Sequence, residues 1–231
     1  QQVRFNMQKQ DLVNLSPVRL FDDAANGGLK AGEMGLVTAK KGLGKTSVLV
    51  QFGLDSILND KQLVHVSFDQ HSSNVISWYD SILNEIGKKK SISDIAEIAS
   101  EIVKDRTILN FNQETFTLPK VVSTLKALKD AGIKVSALVV DGADLDKVGA
   151  DDMKCVADFA KKEKICVWFS STNESDVLAD SCKSDILPMF STVCHIASDG
   201  TALAMNILKC DGKDYSGKVK LDTKTLLMCK Q

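Results

Sequence analysis

The stretch Ala39-Lys40-Lys41-Gly42-Leu43-Gly44-Lys45-Thr46 decides how this sequence is read. It fits G-x-x-x-x-G-K-[ST] except that Ala39 stands at the first glycine. Gly42 and Gly44 let the backbone curl until several N–H groups face one anion. A helix opening near Lys45 adds the positive end of its dipole. The expected cradle is therefore Lys41, Gly42, Leu43, Gly44, Lys45, Thr46 and Ser47, holding the phosphates of a nucleoside triphosphate, ATP by preference. Lys45 is expected to reach the β- and γ-phosphates, and the Thr46 hydroxyl to ligate Mg²⁺. The methyl of Ala39 is expected to restrict the first residue of the turn. The competing reading is a glycine-rich strand–helix turn that happens to carry a lysine.

Outward from this loop, short apolar runs alternate with longer amphipathic ones, the pattern of parallel βαβ units. Met34 to Ala39 reads as a buried strand and Lys45 to Asn59 as a helix. Gln62 to Phe68 is the next strand, with Ser72 as the N-cap of a helix through Ile86. Asp94 and Glu97 have the spacing of a capping pair for a helix to Lys104. A strand at Ile108 to Phe111 and a helix from Pro119 to Asp130 follow. Val135 to Val140 is the clearest buried strand, and Asp141 ends it. A helix over 151–162 and strands over 165–169, 192–196, 202–208 and 218–221 complete the pattern, the last three expected to be antiparallel at one edge. The fold expected is one α/β domain over 27–231, a mostly parallel twisted sheet flanked by helices, preceded by an N-terminal arm over 1–26.

Two carboxylates stand at strand ends on the edge where open α/β sheets bind ligands. Asp141 after Val139-Val140 is expected to hold Mg²⁺ through water; its bland alternative is a turn before Gly142. Asp69 after Phe68 is a candidate general base for an attacking water; its alternative is an Asx-type turn.

Bulk properties exclude several classes. The 231 residues suit one large domain, and 44% apolar content suffices for a core. A net charge of −1 gives no overall signature for nucleic acid or an anionic membrane. No apolar run approaches the roughly 18 residues that span a bilayer, and no leader pattern opens the chain. The six cysteines form no C-x-x-C pair and read as free thiols of a reducing cytoplasm. The chain begins at Gln1 rather than Met, as a trimmed chain or fragment would. Lys88-Lys89-Lys90 reads as a solvated helix end, and Trp78-Tyr79 as core rather than a base-stacking platform.

In this order the motifs resemble those of the RecA-like ATPases, and among them the ATPase domain of DnaB-type replicative helicases and the KaiC-type proteins. The resemblance runs from about Gly27 to Leu227. It includes the lead-in Gly27-Gly28-Leu29-Lys30-Ala31-Gly32-Glu33, the strand end Ser67-Phe68-Asp69 and the strand Leu138-Val139-Val140-Asp141. Later matches are Phe169-Ser170-Ser171-Thr172-Asn173-Glu174, Lys209-Cys210-Asp211-Gly212 and the tail Gly217 to Leu221. It implies ATP with Mg²⁺, and a homo-oligomeric ring or filament with nucleotide at the interface. In such an assembly Lys209 would act in trans as a catalytic cation on a neighbour's γ-phosphate.

The departures weaken the catalytic side of that implication. Asp69 stands where the family has Glu, one methylene short, and about 1 Å of misplacement can cost on the order of a hundredfold. Ser171 replaces a Gln that senses the γ-phosphate. Asp211 replaces an arginine finger, a group worth roughly 10³–10⁵ in rate. The loops where DNA would lie are acidic: Asp144, Asp146, Asp151 and Asp152 in one, Glu174, Asp176, Asp180 and Asp185 in the other. That argues against single-stranded DNA as a partner. Three readings stay open from the sequence: a nucleotide-binding domain with slow hydrolysis, a DNA-stimulated motor, and a degenerate paralogue that binds nucleotide or partner proteins without turnover.

Overall fold

A computed structural model of the chain describes residues 1–231 apart from Asp69 and Lys90, with Met7 described by its backbone alone. Alternating apolar runs become parallel strands joined by helices. In chain order these are β1 (Met34–Ala39), α3 (Lys45–Leu58), β2 (Gln62–Phe68), α4 (Ser72–Lys89), α5 (Ile95–Ile102), β3 (Arg106–Phe111) and α6 (Leu118–Asp130). Then come β4 (Val135–Asp141), α7 (Ala150–Glu163), β5 (Cys166–Thr172), β6 (Thr192–Asp199), β7 (Ala202–Cys210), β8 (Lys213–Leu221) and β9 (Met228–Cys229). Two helices precede β1: α1 (Gln2–Asn14) and α2 (Val18–Ala24).

Among the described residues the nine strands form one sheet in the order β3-β2-β4-β5-β1-β6-β7-β8-β9. The pairs from β3 through β6 are parallel and those from β6 through β9 antiparallel. The chain steps outward from β1 to β2 and β3, then returns to lay β4 and β5 between β2 and β1. The loops after β1, β2, β4 and β5 consequently open on one edge of the sheet, where crossover folds gather ligands. β8 runs from Lys213, five residues earlier than its apolar pattern announces, because much of that strand faces solvent.

Each face of the sheet carries its own core. Leu49, Phe52, Leu54 and Ile57 of α3 pack on one face with Phe21 of α2 and Leu12 of α1. Val121, Leu125, Met153, Val156 and Phe159 of α6 and α7 cover the other. Tyr79 is 2% exposed and its hydroxyl lies 2.8 Å from His65 Nδ1, so it is core as expected. All six cysteines are free thiols. Among the described residues no helix is long and apolar enough to cross a membrane.

Two expected caps are corrected. Asp94 precedes α5 but makes no capping hydrogen bond. Its carboxylate instead takes the guanidinium of Arg4 at 3.3 Å and the Gln8 amide at 3.1 Å, both from α1. Ser72 is the first residue of α4 rather than its cap, and His71 Nδ1 accepts from the Ser73 N–H at 3.2 Å.

α2 is fastened to α3 by Arg19, whose guanidinium meets Asp55 and, at 3.2 Å, Asp22. Burial pushes the Asp22 carboxyl up to about 6, against the opposing pull of Arg19. A raised carboxyl is more protonated in the folded chain than in the unfolded one. Its contribution is therefore complete below the ordinary value of 3.8 and is lost as pH rises through about 6. Asp22→Asn is expected to stabilise the fold at pH about 7–8 by of the order of 1 kcal/mol, a figure reduced for solvent screening. The gain should vanish near pH 3.5. Thermal midpoints across that range check it, and a gain that persists at the acid end would refute the assignment.

Candidate functional site

The loop after β1 is built by its glycines. Gly42 and Gly44 take φ of +84° and +106°, a left-handed region open to glycine at little cost. Left-handed residues in such alternation are the pattern that turns successive amides toward one anion, although the Leu43 N–H is already bonded to the Lys40 carbonyl at 3.3 Å. Gly44 is the N-cap of α3, and no side chain caps that helix. The helical ladder begins with the Val48 N–H on the Gly44 carbonyl at 3.1 Å. The N–H groups of Lys45, Thr46 and Ser47 thus lie ahead of it, at the positive end of a buried 14-residue helix.

Ala39 does not strain the turn as its methyl suggested. It is still in β1, it is absent from the positive-φ residues, and its side chain lies in the core beneath α3. Its carbonyl accepts from the Asn173 N–H at 3.0 Å and faces Lys45 Nζ at 3.4 Å. The turn's left-handed geometry is delegated to Gly42 and Gly44.

Thr46 and Asp141 meet although β5 lies between their strands. The Thr46 hydroxyl donates to Asp141 Oδ2 at 2.7 Å. The other carboxylate oxygen accepts from the Ser170 hydroxyl at 2.6 Å, and Ser170 Oγ in turn accepts from the Gly142 N–H at 2.9 Å. Ser170 stands on the intervening strand, in register with Val37 of β1. Asp141 is thereby held by both oxygens at 4% exposure. Gln70 Nε2 approaches the Thr46 hydroxyl at 3.4 Å from the loop after β2. Sequence reasoning missed the roles of Ser170 and Gln70. The Ser170-Ser171 pair at a strand end was visible, but not which of the two turns inward.

Lys45 is half-buried, which lowers its pKa, with Asp141 opposing. An ammonium short of solvent and aimed near a carboxylate gains most from an incoming phosphate. A hydroxyl and a carboxylate side by side at a helix N-terminus are the hard oxygen donors that suit Mg²⁺, which also takes waters and phosphate oxygens. Among the described residues no group of three or more His, Cys, Asp or Glu could form a protein-only metal cage. Beside Lys45 opens a cleft of about 610 Å³, lined by Gly142, Asp144, Asp146, Ser171, Asp180 and Lys183 among others. Its three aspartates against two lysines agree with the acidic loops read from the sequence.

Lys209 and the Asp211 position lie away from the loop after β1. Asp69 lies outside the described residues. Lys209 pairs in register with Val193, at the start of β6 and so at the edge of the sheet opposite the loop. It is 9% exposed rather than a free surface lysine; its Nζ donates to the Leu187 carbonyl at 3.3 Å, and burial lowers its pKa. Asp211 and Gly212 form the two-residue turn between β7 and β8, with φ of +52° and +76°. Both central residues being left-handed marks a type I′ hairpin, where Asp-Gly is favoured and Arg is not. The Asp211 carboxylate is tied to Lys30 at 2.8 Å, which holds its pKa below the usual range.

A family model described as the KaiC ATPase matches residues 16–148, more than half of the chain. The matched span includes the 39–46 loop and Asp141. No curated protein matches the chain.

Proposed function

This chain belongs to the KaiC ATPase family, and from that premise we propose that it binds ATP with Mg²⁺ at the Gly42–Thr46 loop and hydrolyses it slowly. Nucleotide binding in a RecA-like fold is the property of the family. The finer assignment rests on one observation above others: Thr46 Oγ1 and Asp141 Oδ2 stand 2.7 Å apart at the uncapped N-terminus of α3. The nest of 41–45 would take the β-phosphate, and Lys45 the β- and γ-phosphate oxygens. Thr46 and Asp141 would hold Mg²⁺, which when bound neutralises charge developing on the phosphate oxygens. Ser170 fixes the rotamer of Asp141, so that the carboxylate meets its ligand already oriented.

Slow turnover follows from what the catalytic positions offer. Asp69 is our proposed base for the attacking water, on its sequence position alone. Asp211 sits in a hairpin turn bound to Lys30, so it brings no cation to a neighbour's nucleotide. Lys209 could act in trans only after giving up its bond to Leu187. A ring or filament with nucleotide between subunits remains our proposal on family grounds. The acidic cleft beside Lys45 sets single-stranded DNA, and with it the motor reading, behind the slow ATPase.

The test is ATP hydrolysis in Mg²⁺ and in chelator, with and without single-stranded DNA at low salt, for the wild type and Asp141→Asn. We expect slow Mg²⁺-dependent turnover, indifferent to DNA and abolished in Asp141→Asn. ATP binding without turnover above background would reduce the protein to a nucleotide-responsive module. Stimulation by DNA would reinstate the motor.

A further inference from the structure

Gln51 lies on α3, six residues beyond Lys45, at 2% exposure. Its amide spans the gap between this helix and the chain's last segment. Nε2 donates to the Leu226 carbonyl at 2.9 Å, and Oε1 accepts from the Met228 N–H at 2.9 Å. Both ends of one buried side chain thus reach the chain's last segment, at Leu226 before β9 and at Met228 where β9 begins, while Nε2 also lies 3.3 Å from the Ser47 carbonyl and hydroxyl.

That segment is tightly closed on itself. The Leu226 N–H donates to the Asp222 carbonyl and the Asp222 N–H to the Leu227 carbonyl, each at 2.8 Å. The Asp222 carboxylate accepts from the N–H groups of Lys224 and Thr225, also at 2.8 Å. The closure leaves Leu226 at φ +61°, a left-handed conformation that leucine avoids. Such a conformation persists only where its surroundings over-determine it. Asp222 holds the residue from one side and Gln51 from the other. The outcome is that the Leu226 side chain is turned onto Gly44: its Cδ1 would lie 3.3 Å from a Cβ placed there.

We infer that Gln51 is a positioning residue for phosphate binding, acting through Leu226, which braces Gly44 and so keeps the 41–45 nest in its anion-ready shape. The inference rests on the nucleotide reading above and adds the residues that hold the loop before any ligand arrives. A nest that must be ordered by its ligand binds more weakly than one already formed. Without the Gln51 amide, the Leu226 carbonyl and the Met228 N–H lose their partner and the left-handed residue loses one of its two anchors. The leucine can then relax away from Gly44. The brace touches the loop and not the nucleoside, so it should act alike on any polyphosphate.

Calorimetric titration with ATP and with inorganic tripolyphosphate, both in Mg²⁺, tests this on the wild type, Leu226→Ala, Leu226→Met, Gln51→Leu and Lys45→Ala. Leu226→Ala and Gln51→Leu are expected to weaken both ligands by the same factor, about tenfold. Leu226→Met, which keeps an apolar chain over Gly44, should bind close to wild type. Leu226 is only partly buried, so Leu226→Ala keeps the test open if Gln51→Leu fails to fold. Unchanged affinities in Leu226→Ala overturn the inference while leaving the nucleotide reading intact. So does a loss confined to ATP, which would make Leu226 a nucleoside contact. If the wild type takes neither ligand, or Lys45→Ala binds as well as it does, the nucleotide reading fails and the inference fails with it.

Discussion

Lys45→Ala is expected to weaken ATP binding about a hundredfold and to leave the fold intact. Among the described residues the ammonium of Lys45 has one long hydrogen bond, 3.4 Å to the Ala39 carbonyl, and is already half withdrawn from water. Burial disfavours its charge, and the carboxylate of Asp141 only partly compensates. Two phosphate oxygens would complete its environment. Charge-assisted hydrogen bonds are worth roughly 1.5–3 kcal/mol each. A net loss near 2.7 kcal/mol is a factor of about 100 in Kd. The residue sits in the first turn of α3 and is not one of that helix's buried residues, so its thermal midpoint should move little. Calorimetry on both proteins decides the matter, and equal affinities would remove this loop from the site.

The largest stability effect is expected at Trp168, where Trp168→Ala should cost about 3–5 kcal/mol. Its ring stacks on Phe52 at 4.2 Å with an interplanar angle of 1°, and Phe21 meets both rings edge-on at 5.6 and 4.9 Å. The ring lies directly over Gly35 of β1: a Cβ there would fall 2.5 Å from it, so only glycine admits this approach. One indole thus joins β5, β1, α2 and α3. Its removal would enlarge a cavity of about 90 Å³ that already adjoins it between Phe21, Phe52 and Asp55. The rigid cross-link between α2, the sheet and the helix that follows the Gly42–Gly44 turn would go with it. Denaturant midpoints at constant slope provide the check. A loss below about 1 kcal/mol would mean that the neighbouring side chains collapse into the space.

What the sequence disclosed was local. The glycine spacing of 42–46 and the buried run ending at Asp141 carry their own physics, since each depends on residues adjacent in the chain. So do the strands buried on both faces, whose apolar runs leave no ambiguity. What escaped was set across the fold. Asp94 has the spacing of a cap but is claimed by Arg4 and Gln8 from a helix at the start of the sequence. Ser170 acts on Asp141 only because β5 is inserted between β4 and β1, and no periodicity reports strand order. The Lys209 ammonium meets the Leu187 carbonyl across the fold, and Gln51 is an ordinary helix glutamine until Leu226 and Met228 arrive beside it. The first 26 residues drew no helix assignment, yet α1 and α2 send Leu12, Val13, Val18 and Phe21 into the core.

Ala39 bears on how loops with this glycine spacing vary. With the left-handed geometry vested in Gly42 and Gly44, the opening position is free to be any small residue that fits the strand. In this chain glycine there is not a demand of geometry. A motif search that insists on it would pass over loops shaped like this one.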